Sequence, residues 1–102
     1  MSKLEEIIRK AIENDAEMVV IEYRDGLEEI SAHSGNVGVA IDTIKSNSKE
    51  SESLFDEIRK IKRKSRITIS KHEYLLRISS YDNFGETAYE IRISRSPTGT
   101  VH

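Results

Sequence analysis

The chain contains no cysteine and no tryptophan, so it has neither a disulfide framework nor a thiolate metal site, and a reducing compartment suits it. Long apolar runs are missing as well. The opening MSKLEEIIRK places acids where a secretory leader needs an uninterrupted apolar stretch, and no 18-residue apolar segment follows. The expectation is a cytoplasmic protein without membrane insertion. Nor does charge of one sign dominate: 16 Lys and Arg against 18 Asp and Glu leave a net charge of −2. Any attraction to nucleic acid must therefore come from local asymmetry.

Most signatures of catalysis are absent too. There is no GxxxxGK[ST] loop to cradle phosphates and no GxSxG elbow to expose a serine nucleophile. His33, His72 and His102 show no i, i+4 spacing on a helix that would aim two imidazoles at one metal. Asp82-Asn83-Phe84-Gly85 is no kinase motif, since the other kinase elements are missing. The carboxylates fall mainly on helical surfaces, where solvation accounts for them. No catalytic, cofactor-binding or metal-binding residue is assigned.

What is present is a regular alternation of elements in a chain of 102 residues, a length that suits one compact core. Ser2 and Glu5 make a capping box ahead of Leu4, Ile7, Ile8, Ala11 and Ile12 on one helical face, predicting a helix over 3–14. Met18 to Ile21 reads as a strand covered by helices on one face and partly on the other. Arg24-Asp25-Gly26 turns the chain into a second strand, and Ser34-Gly35-Asn36 into a third over 37–41. Gly38 suggests a bulge within that third strand. The serine-rich stretch 45–53 reads as a loop entering a second helix at Asn47 or Ser48. That helix carries acids early and Lys60, Lys62, Arg63 and Lys64 late, in the order its dipole favours. Three strands follow, over 66–70, 74–81 and 87–94. The fold expected is α+β, in the order α-β-β-β-α-β-β-β, with a mainly antiparallel sheet and two helices packed on one face. Residues 1–95 form the domain and 96–102 a flexible tail.

Two places hold candidate binding residues. In LLRISSYDNFGETAYEIRIS every rung of the hairpin sums to 169, with Asn83 to Glu86 as the turn, so Arg77 faces Arg92. Like charges facing across a ladder are destabilising, and stability alone selects against them. Arg77, Ser79, Tyr81 and Arg92 share the face opposite the apolar set, where they suit an acidic partner or an anion, or simply stand solvated. The second place is RKIKRKSR, in which Arg59, Lys60, Lys62, Arg63, Lys64 and Arg66 offer a grip on nucleic-acid phosphates. Bases at a helix C-terminus are also stabilising in themselves.

Together these segments resemble the amino-terminal domain that precedes the catalytic core in type II secretion and type IV pilus assembly ATPases. Ala16, Val19, Ile21 and Glu22 in AEMVVIE match its first strand motif, and Asp25-Gly26-Leu27 and Gly35 match its turns. Leu76-Arg77-Ile78-Ser79, Gly85-Glu86 and Arg92-Ile93 match its final segment. The basic second strand of that family is here LEEISAHSG, and Asp82 stands in place of the turn proline. The resemblance implies a PAS-like α+β module without the motor, which docks on a protein such as a secretion or pilus assembly component. The expected function is accordingly non-catalytic protein docking, with a small nucleic-acid-binding domain using the basic end of the second helix as the alternative.

Overall fold

The computed structural model describes residues 2–61 and 64–95. They form α1 (Lys3–Glu13), β1 (Met18–Arg24), β2 (Leu27–Ser34), β3 (Val37–Lys45), α2 (Lys49–Ile61), β4 (Lys64–Ile69), β5 (His72–Asn83) and β6 (Glu86–Arg95). The α+β class and the element order are those expected. The tail expected at 96–102 lies outside the described residues.

All pairings are antiparallel, and the strand order is β3-β2-β1-β6-β5-β4. Each half is a strand meander, and the first and last strands meet at the centre. The link between halves must therefore cross the whole sheet. Five strand spacings come to about 24 Å; α2, with 13 residues, runs about 20 Å, so helix length matches sheet width.

Local chemistry fixes the helix starts. The Ser2 hydroxyl accepts the Glu5 N–H at 3.1 Å, as its capping box predicts. α2 begins at Lys49, one or two residues beyond the predicted onset at Asn47 or Ser48, because Ser48 and Ser51 cap it reciprocally. Each hydroxyl accepts the other's backbone N–H at 3.1 Å. Serine takes the role that Glu or Gln usually has in this box, so the usual signal is missing.

Both helices lie on one face of the sheet. Leu4, Ile7, Ile8 and Ala11 of α1 and Leu54 and Ile58 of α2 share a core with Val19, Ile21, Ile30, Ala32, Ile44, Ile69, Leu76, Ile91 and Ile93. Lys3 fastens three elements at its edge: its Nζ lies 2.6 Å from Asp42 Oδ2 on β3 and 3.2 Å from Glu50 Oε2 on α2. Among the described residues the other face carries no helix. Val20 and Ala88, buried there outside the core cluster, are small side chains beneath longer polar neighbours.

β3 differs from expectation in two respects. It runs to Lys45 rather than stopping at 41, and its irregularity lies between the rungs Ile30–Asp42 and Ser31–Ala40, leaving Ile41 as the extra residue. A bulge shifts the inward-outward phase of a strand, so Ile44 returns to the core out of step with Val37 and Val39. Gly38 is regularly paired with His33. Its lack of a side chain matters for another reason: a Cβ there meets His33 Cε1 at 2.6 Å and Nδ1 at 2.8 Å. Gly38→Ala displaces the imidazole and breaks its 2.8 Å bond to the Ser31 hydroxyl, at an expected cost of about 1 kcal/mol. Chemical denaturation of the variant measures it, and Gly38→Ala with His33→Ala should recover most of the loss.

Candidate functional site

The helix-free face is the candidate site, and its side chains follow from register. Arg77 pairs with Arg92 as the hairpin rung sum requires. The hairpin turn is tighter than the four-residue expectation, because Asn83 still pairs with Glu86 and only Phe84 and Gly85 turn the chain. On the other flank of β5, Lys64 of β4 pairs with Arg77. Three cations thus stand side by side on three neighbouring strands, about 5 Å apart. Among the described residues neither Lys64 nor Arg77 has an ion-pair partner, and Arg92 has only Glu90, at 3.9 Å. Arg66 lies two residues further along β4, with its guanidinium 3.7 Å from Glu73.

Four residues along the strands, about 13 Å away, the same face reverses its sign. Tyr81 and Ala88 are rung partners there, and Glu22 pairs with Glu29 on the two strands beyond. Asn83 donates to Glu22 at 3.0 Å, and Arg24 lies 3.8 Å from Glu29. Partial burial, and then the charges of Glu22 and Glu90, raise the Tyr81 phenol above its ordinary range. Between the two ends lies the rung Ser79–Glu90–Val20, whose one charge is the Glu90 carboxylate. The face therefore has a basic end and an acidic end, each built on a like-charged pair.

Of the predicted site residues, Arg77, Arg92, Ser79 and Tyr81 come together on this face. The described residues of the basic run at 59–66 are divided between two elements. Arg59 and Lys60 belong to α2 in the helix layer, and Arg59 is bonded to Asp56 one turn earlier. Lys64 belongs to β4 instead of the helix, and Arg66 stands on the same strand, as expected; Lys62 and Arg63 lie outside the described residues. Sequence reasoning missed that Lys64 joins the arginine pair. The rung was readable only from the turn Ser70-Lys71, where both residues have positive φ without the glycine or asparagine that marks such turns.

The described residues show no group of three or more side chains suited to a metal ion. His33 is bonded to Ser31, and His72 contacts Arg95; His102 lies outside the described residues. Glu28, on the helix side of β2, is buried and accepts a hydrogen bond from Ser46. No helix among the described residues is long and apolar enough to cross a membrane. No known protein-family model matches the chain, and no curated protein matches it either.

Proposed function

We propose that this chain is a non-catalytic docking module, akin to the amino-terminal domain of the secretion and pilus ATPases, and that it holds an acidic protein partner on the basic end of its open sheet face. The observation that carries this reading is the row Lys64, Arg77 and Arg92 across three adjacent strands, with Arg92 alone of the three in an ion pair among the described residues. Such a row costs hairpin stability when nothing is bound. An acidic segment laid across the strands offsets that cost with charge-assisted hydrogen bonds, each contributing about 2 kcal/mol.

Affinity capture from cells, with the chain as bait, tests this. A partner held by wild type should bind about a thousandfold more weakly to the Arg77→Ala, Arg92→Ala double variant, whose circular dichroism stays native. An unchanged set of captured proteins overturns the reading. The competing nucleic-acid reading expects salt-sensitive binding of labelled RNA or DNA that disappears when Lys62, Arg63 and Lys64 become alanine. The division of Arg59 and Lys60 from Lys64 and Arg66 between two layers weighs against it.

A further inference from the structure

The tip of the β5–β6 hairpin is strained where a stable hairpin has no need to be. Phe84 has φ +54° and Gly85 φ +85°, the pair of left-handed residues that a two-residue I′ turn requires. The β1–β2 turn of the same chain meets that need with Asp25 (φ +52°) and Gly26 (φ +82°), a favoured pair. At the hairpin tip a bulky aromatic occupies the same position, which disfavours it. Its ring is also 100% exposed, and no other large apolar side chain described is more than 64% exposed. Neither burial nor turn geometry accounts for phenylalanine here. The ring is flanked by Asp82 and Glu86, on the last two rungs.

The same face holds a complementary receptor. A cleft of about 270 Å³ is lined by Lys64, Ser65, Arg66 and Leu75, with Arg66 paired to Leu75. It is apolar at Leu75, rimmed by two cations and roomy enough for a benzyl ring. Leu75 and Phe84 lie nine residues apart along one hairpin, about 30 Å. Two copies related by a two-fold axis passing near Ser79 and Glu90 therefore place each Phe84 at the other's Leu75. In that arrangement the carboxylates of Asp82 and Glu86 beside each Phe84 meet the Lys64 and Arg66 cations that rim the other copy's cleft.

We infer that this chain associates with a second copy of itself by reciprocal docking, in which the Phe84 tip of each enters the Lys64–Arg66–Leu75 cleft of the other. The contact is isologous and closes at two. Its apolar payload is two phenylalanine rings, of about 200 Å² each, which is well below a standard stable interface. The dimer is thus weak and concentration-dependent, and salt weakens it further. The inference rests partly on the docking reading, since the receptor adjoins the cationic row.

Sedimentation equilibrium tests it. The weight-average mass should rise from that of one chain, 11.6 kDa, toward twice that value between about 10 μM and about 1 mM. Phe84→Asn is the decisive variant, because Asn-Gly is the favoured I′ pair: it should raise the melting temperature by about 4 °C and remain monomeric. Asp82→Lys with Glu86→Lys should also be monomeric, as should Lys64→Glu with Arg66→Glu; mixing those two double variants should restore both reciprocal contacts, one as in wild type and one with its charges exchanged, and raise the mass again. A wild type that stays monomeric to about 1 mM, or a Phe84→Asn variant that dimerises as wild type does, overturns the inference. Partner capture that still depends on Arg77 and Arg92 in the monomeric Phe84→Asn variant leaves the docking reading standing on its own.

Discussion

Ile91→Ala is expected to cost about 4 kcal/mol. Ile91 lies on β6 at the middle of the sheet, is 0% exposed, and pairs with Val19 on one side and Ile78 on the other. Both helices share the core it belongs to. Its removal leaves a cavity that six strands and two helices cannot close by moving one element, so the transfer and cavity contributions add. Domains of this size are stable by about 5–15 kcal/mol, so the variant should be partly unfolded at modest urea concentrations. The measurement is a urea midpoint at unchanged m-value, with Ile91→Val, at about 1 kcal/mol, as the graded control. A cost for Ile91→Ala below about 1.5 kcal/mol contradicts the central placement of this residue.

The second large effect concerns the clasp formed by Lys3, Asp42 and Glu50. Burial alone raises the Asp42 pKa, but the hydrogen bond from Lys3, the Thr43 N–H, and the charges of Lys3 and Lys10 outweigh it, so the pKa lies below the usual carboxylate range. For Lys3, burial lowers the pKa but the hydrogen bonds to Asp42 and Glu50 and their charges outweigh it, leaving it above the ordinary lysine value. Asp42 therefore contributes stability that is fully present above its unfolded pKa, about 3.9, and that is lost as pH falls through its lower folded value. The Lys3 contribution is fully present below about pH 10.4 and is lost as pH rises through a folded value above that. Asp42→Asn should cost about 2 kcal/mol at neutral pH and flatten the acid limb of stability below about pH 4. Urea titrations of both proteins from pH 2 to 7 measure this, and parallel acid limbs would exclude the clasp as their source.

How much of this was legible beforehand depended on whether a residue's signal was local. Leu4, Ile7, Ile8 and Ala11 repeat at helical spacing, and Ser2 announces the helix start, so α1 is misjudged only at its final residue. The pairing of Arg77 with Arg92 needed no more than the hairpin alternation and an integer sum. β3 was cut short because a bulge at Ile41 resets the phase on which such readings depend. Lys64 reads as helical because bases suit a helix C-terminus, and the turn that sets its partner has no glycine. Its place beside Arg77 is a consequence of pairing between strands, which propensity does not encode. The acidic end of the face was hidden for the same reason. Glu22 and Glu29 are seven residues apart in the chain, and nothing short of the β1–β2 register sets them opposite each other.

The central seam of the sheet joins the first strand to the last, with Met18 against Arg92 and Ile21 against Tyr89. Each three-strand meander can assemble from contacts close in the chain, but the seam cannot form until a loop of about seventy residues has closed, and the entropy of that closure precedes any reward. Such a topology folds in milliseconds to seconds rather than microseconds. Substitutions within the seam should then act mainly on whichever rate has its barrier there: a seam already formed at the transition state slows folding, and one formed afterwards speeds unfolding.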